Sequence, residues 1–329
     1  MLIATIIVFF ILYFLLNTIA VKYGLYDKNE FKKNHLIKIP LIGGVCIFFT
    51  LIIISSFLPI RNDVYLMVLL SCGIFIMGFF DDSLNLNFKL RFLFQILFVS
   101  FYVIFFNLVI TNYGFININK DFFLISIFIT IFAIVGVVNA FNFIDGLDGL
   151  TSSLFLVSII FVKIFVFLNT DNYIFDELDV LLVTVFCFLL INKQFIKLDK
   201  IYLGDSGSMF LGFIISIYLI YYSNVYSYIS PSIVPWFIAV PIFDFFAVIL
   251  IRILNKKNPM VGDNQHLHHI FLNKGYSDNF VLIFLVSLSF LLCFFGILVN
   301  SFTNDIVSIV LFICILILYC LYRIKDIKK

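Results

Sequence analysis

Residues Asn139-Ala140-Phe141-Asn142-Phe143-Ile144-Asp145-Gly146-Leu147-Asp148-Gly149-Leu150 hold two Asn, two Asp and two Gly, with no Lys or Arg among them. Glycine after each aspartate permits a tight turn or a close approach to a ligand. Uncompensated acids beside apolar runs suit a site that uses a cation and reads a polar ligand. Four further polar clusters stand out: Asp81-Asp82, Gly204-Asp205-Ser206-Gly207-Ser208, His266-Leu267-His268-His269, and Lys33 with His35. Carboxylates crowded into a partly desolvated site repel by about 4 kcal/mol per contact at an effective dielectric of ~20. A divalent cation relieves that repulsion. An all-oxygen ligand set without Cys favours Mg²⁺, with Mn²⁺ as the alternative. Gly204–Ser208, opening a helix, would add amides and hydroxyls as a phosphate cradle.

The elements that must position these groups are helices in a membrane. Of 329 residues, 63% are hydrophobic and only 12% charged, against about 25% charged in soluble domains; mean hydropathy is +1.17. The apolar runs are continuous and near the ~20 residues that a crossing needs, rather than the alternating segments of a β-barrel. The expected fold is all-α, one polytopic domain over 1–329. Eleven spans are expected, near 2–21, 40–59, 64–80, 92–111, 122–138, 150–168, 178–192, 206–223, 233–254, 281–299 and 306–322. The first lacks a basic flank and is read as retained. Of the 21 Lys and Arg, 18 follow odd-numbered spans or adjoin them; Arg61 and Lys120 lie on the other side and Lys163 within a span. The positive-inside rule then places the N-terminus outside and the C-terminus in the cytoplasm. All five polar clusters fall on the cytoplasmic side. The chain would sit in the inner membrane, among lipid, with phosphoryl transfer onto a lipid as its chemistry.

Competing interpretations are weaker. Asp145–Gly149 lacks EF-hand spacing and has Leu156 where that loop needs Glu. Gly204–Ser208 matches neither a P-loop nor G-x-S-x-G. The three His have no Cys near them to complete a zinc site, and the six Cys, all in apolar runs, suit packing. A net charge of +2 gives no indication of nucleic acid. Asp81-Asp82 alone could be a helix stop. Lys163 is expected to snorkel, and Asp244, eight residues before Arg252, fits a structural ion pair as well as a role in chemistry. A transporter would hold its ionisable groups near the midplane.

These residues resemble the polyprenyl-phosphate N-acetylhexosamine-1-phosphate transferase family along nearly the whole chain. The matching stretches are Asp27…Lys33-x-His35…Pro40-x-x-Gly43-Gly44, Gly78-Phe79-Phe80-Asp81-Asp82 with Lys89 and Arg91, and Asn139-x-x-Asn142-x-x-Asp145-Gly146-x-Asp148-Gly149. Gly204-Asp205-x-Gly207-Ser208 and Pro241-x-x-Asp244…Arg252…His266-Leu267-His268-His269 complete the set. The His-x-His-His form looks like the branch that moves GlcNAc-1-phosphate rather than phospho-MurNAc-pentapeptide. The resemblance implies that Asp205, with Asp81, binds Mg²⁺ and that Asp81 or Asp82 orients or deprotonates the lipid phosphate. It further implies that Asn139, Asn142, Asp145 and Asp148 bind the nucleotide. Lys33, His35, Lys89, His266, His268 and His269 would hold phosphates and amino-sugar. The implied partners are a UDP-N-acetylamino-sugar and undecaprenyl phosphate, with UMP released; a homodimer is compatible with all of this.

Overall fold

The computed structural model describes residues 1–26, 39–58, 62–114, 116, 122–170, 173–259 and 265–327. Among them all regular structure is helical, apart from isolated bridge residues: Tyr26 paired with Pro40, and Asn112. The helices are α1 (Leu2–Tyr23), α2 (Gly43–Ser55), α3 (Asn62–Leu70), α4 (Cys72–Leu84), α5 (Phe88–Phe105), α6 (Phe123–Ile144) and α7 (Leu150–Thr170). They continue with α8 (Glu177–Asn192), α9 (Gly204–Ile220, followed by a π turn to Val225), α10 (Val234–Phe237), α11 (Ala239–Leu254), α12 (Leu267–Asn273), α13 (Asp278–Phe302) and α14 (Asp305–Ile327). Eight described stretches are long and apolar enough to cross a bilayer: 2–23, 64–84, 88–105, 123–144, 150–170, 204–225, 278–302 and 305–326. The other expected spans coincide with α2, α8 and α11, at 13, 16 and 16 residues, short of the ~20 that a perpendicular crossing takes.

Several helices run past the apolar stretches that announced them. α4 continues beyond residue 80 to Leu84, so Asp81 and Asp82 lie in its last turn; Asn85, at φ 50°, ends it and donates its N–H to Asp81 O. α6 continues beyond 138 to Ile144 and carries Asn139 and Asn142. α5 begins at Phe88 rather than 92, with Asn87 Oδ1 accepting from Lys89 N at 3.0 Å, which places Lys89 and Arg91 in its first turn. The cause is general. Apolarity marks where lipid ends, whereas capping and backbone turns mark where a helix ends.

The chain divides into two compact units. In the first (1–98 and 175–214), α2 packs on α1 and α8. Phe48 stacks on Phe75 at 4.2 Å and meets Phe210 edge-on at 5.3 Å. A Cβ at Gly44 would lie 2.4 Å from Gly207 N, and one at Gly78 would lie 2.6 Å from Ser206 Cα. Only glycine there lets α2 and α4 reach the backbone that opens α9.

In the second unit (99–174 and 215–329), α13 packs on α7, and α11 on α6 and α14. Fully buried Trp236 lies between Phe295 and Phe312, over Gly296, and donates its indole N–H to Ser308 Oγ at 3.1 Å. An apolar cluster of Ile144, Leu147, Leu150, Leu154, Val240, Leu267, Val281 and Leu285 joins the ends of α6, α7 and α12. Lys163 reaches along its helix to the Ile174 carbonyl and the Tyr173 ring, as snorkelling requires.

Candidate functional site

The polar groups form two centres, one in each unit. In the first, residues 200–203 lie along 40–44: Tyr202 N donates to Pro40 O at 2.9 Å, Gly43 N to Tyr202 O at 2.8 Å and Gly44 N to Leu203 O at 2.9 Å. Asn192, buried at the end of α8, fixes the same segment through its amide to Ile201 O at 2.9 Å. The backbone then turns at Gly204, φ 75°, where a Cβ would lie 2.7 Å from Asp82 Oδ2.

Asp82 closes that turn. Its Oδ1 accepts from Asp205 N at 2.7 Å and its Oδ2 from Ser206 N at 3.0 Å. A carboxylate from α4 thus occupies the anion position at the start of α9. This revises the phosphate-cradle expectation, because the first amides of α9 already have an anion. Both oxygens of Asp82 are thus engaged by the backbone that carries Asp205.

Asp81, 4% exposed, faces Arg91 at 2.6 Å through Oδ2, and its Oδ1 accepts from Leu86 N at 2.9 Å. The same guanidinium Nη1 lies 3.9 Å from Asp205 Oδ2, and the Asp205 side chain keeps 39% of its surface exposed. Two carboxylates therefore share one Arg, with Asp205 the more open of them. Arg91 was legible only through the resemblance; three acids near an otherwise apolar helix end were the signal that a cation had to be close. Lys89, two residues before Arg91, is exposed.

In the second unit, Asp145 and Asp148 are half-buried in the turn between α6 and α7, and Asn142 O accepts from Asp145 N at 3.4 Å. Asn139 is buried, with its amide donated to Val135 O at 2.8 Å on its own helix. His268 belongs with this turn, since a Cβ at Gly146 would lie 2.3 Å from His268 Nε2. His268 is fully buried and, among the described residues, neither ring nitrogen has a hydrogen-bond partner. Burial, with the neighbouring His269, pushes its imidazole down to about 3, so it is neutral at physiological pH.

His266 is held by Asp244, Nδ1 to Oδ2 at 2.7 Å, and Asp244 Oδ1 accepts from Leu267 N at 3.0 Å and from Arg323 Nη1 at 2.7 Å. Asp244 is therefore a structural partner of a cation. Arg323 is also a finding of the fold: by sequence it belonged to a basic tail, yet it has no exposed surface. Arg252, likewise buried, donates to Pro259 O at 2.8 Å and lies 5.4 Å from the Phe143 ring. Lys33 and His35 lie outside the described residues, as do Arg61 and Lys120.

Among the described residues no three or more His, Cys, Asp or Glu side chains are gathered as a metal site would need. Mg²⁺ takes one or two carboxylates and completes its shell with water and substrate phosphates. Asp205, open and next to ion-paired Asp81, fits that mode.

Residues 64–223 match the family model described as glycosyl transferase family 4. The chain is similar to the undecaprenyl-phosphate alpha-N-acetylglucosaminyl 1-phosphate transferase of Escherichia coli O157:H7, 27% identical over 323 residues, covering 94% of this chain and 87% of that protein. The Yersinia pestis protein of the same name is 26% identical over 324 residues, with the same coverage. Asp81, Asp82, Arg91, Asp145, Asp148 and Asp205 all fall within the matched stretch, which is just under half of the chain and is similar to glycosyl transferase family 4 proteins.

Proposed function

We propose that the protein transfers an N-acetylhexosamine-1-phosphate, GlcNAc-1-phosphate first among them, from a UDP-sugar to undecaprenyl phosphate and so begins a cell-surface glycan. The observation that carries this is the first centre: Asp205 held open at a helix start by Asp82, beside the Asp81–Arg91 pair. Similarity over 94% of the chain to enzymes named for that reaction supports it. A lipid-phosphate oxygen would attack the sugar-bearing phosphorus. The bond from that phosphorus to the bridging oxygen breaks, and UMP leaves with the electron pair. Asp205, with Asp81 adjacent, would hold Mg²⁺, which supplies positive charge to the diphosphate oxygens. Asp81, gripped by Arg91, would orient the acceptor phosphate. Asn142, Asp145 and Asp148 would bind the nucleotide, and His266–His269 with Lys89 would contact phosphate and amino-sugar. Positioning and charge stabilisation are the protein's main contributions.

The helices would make eleven crossings of the inner membrane, N-terminus outside, with these groups on the cytoplasmic face, as the distribution of Lys and Arg suggests. The test is UMP release from UDP-GlcNAc by membranes containing the chain, undecaprenyl phosphate and Mg²⁺, followed by a panel of other UDP-N-acetylhexosamines. Release should need the lipid, stop with EDTA and return with Mg²⁺. Release without the lipid, or none with any donor, would refute the proposal.

A further inference from the structure

Tyr319, Arg323 and Asp326 are spaced to share one side of the last turns of α14, and all three engage the His-bearing segment. Arg323 donates Nη1 to Asp244 Oδ1 at 2.7 Å and Nη2 to the Gln265 carbonyl. The Tyr319 hydroxyl accepts from the same guanidinium at 2.8 Å and lies 3.3 Å from Asp244 Oδ1. Tyr319 also packs on the apolar cluster that contains Leu267. At the other end of α12, Lys274 meets Asp326 at 2.8 Å in solvent. The His segment is thus pinned twice to α14: at Gln265–Leu267 by a dry fork, and at Lys274 by an exposed pair. A buried ion pair adds little net stability, because desolvation offsets its attraction; its better-attested use is to select one arrangement among several. The arrangement selected here seats His268 against Gly146.

We propose that Arg323 and Tyr319, on a helix outside the stretch matched by the family model, are positioning residues. They hold the His266–His269 turn against the Asp145–Gly149 turn and thereby set the affinity for the nucleotide-sugar donor. This rests on the donor-binding roles proposed above for those two turns. The double interaction of Arg323 gives it a role that charge neutralisation alone does not: Asp244 fixes His266 and Leu267 N, while Gln265 O fixes the residue before them.

The test uses the full-length chain in detergent, with the donor and lipid phosphate varied separately. Arg323→Met should raise the donor KM at least tenfold, about the scale of one lost charge-assisted interaction, with the lipid KM within about twofold. Arg323→Lys should restore part of the loss, since an ammonium reaches Asp244 without forking to Gln265. The Asp244→Asn/Arg323→Met double variant should keep the raised donor KM although the buried charge is gone. Recovery of the wild-type KM in the double variant, or a fall in kcat with both KM values unchanged in Arg323→Met, would overturn the proposal. If Arg323→Met gives no monodisperse protein, Tyr319→Phe decides: a rise of about threefold in donor KM supports positioning, and a wild-type value overturns it. Should the wild-type chain release no UMP from any donor, the enzyme proposal fails by itself. The clamp is then read from diethylpyrocarbonate modification of His268, which Arg323→Met should accelerate and which a wild-type rate would refute.

Discussion

The Asp81/Asp82/Asp205 centre and the Asp244 centre use the same residue type and reach opposite electrostatic states. At Asp244 every oxygen is engaged: Oδ1 by Arg323 and Leu267 N, Oδ2 by His266, with 2% of the residue exposed. That carboxylate is neutralised and sealed. At the first centre Asp81 and Asp205 share Arg91, Asp82 is met by backbone amides alone, and Asp205 remains 39% exposed. Excess negative charge kept open at a helix end is unfavourable without a cation or a cationic ligand to meet it. A buried acid can thus be an anchor or a working group, and its partners distinguish the two. Asp82 lies between the extremes, since it is engaged by two amides yet determines where Asp205 points.

The comparison is most exposed to Asp205→Asn and Asp81→Asn. Each should lower UMP release by at least about two orders of magnitude, the scale of lost preorganised charge stabilisation, while the protein still inserts. Near-normal turnover in both would remove the distinction between a working and an anchoring centre.

Asp82→Ala sharpens the comparison from the intermediate case. It leaves two amides of α9 without their anion and should lower stability by about 2 kcal/mol, read as a lower thermal midpoint in detergent. An unchanged midpoint would mean that the cap is dispensable.

An effect of about the same size, roughly 2 kcal/mol between pH 7 and 5, is expected from pH at His268. Its folded-state pKa lies below the unfolded value, so the unfolded chain binds the extra proton. Stability should therefore fall as pH drops below 6.5, with the loss levelling off near 3, at no more than about 1.4 kcal/mol per pH unit. His268→Gln should flatten the pH dependence of the midpoint between pH 7 and 5; an unchanged slope would show that His268 does not stay neutral. The smallest effect belongs to Lys274→Ala. Its pair with Asp326 is exposed and screened, and the midpoint should not move measurably.

Much of the site was legible because polar residues are costly in a membrane and few positions carry them. Asp81, Asp82, Asp145, Asp148, Asp205 and the His turn stood out for that reason. Their partners were not legible. Nothing local in Arg-Ile-Lys-Asp near the C-terminus says that Arg323 pairs with Asp244, 79 residues earlier, because any of many cations could satisfy a buried acid.

The sequence by itself determined an all-helical membrane chain and which residues could do chemistry, since hydrophobic run length and the rarity of charge are local properties. Tertiary structure alone decided what each acid does. Whether a carboxylate caps a helix, joins a sealed network or stays open depends on which backbone amides and guanidinium groups packing brings within 3 Å of it.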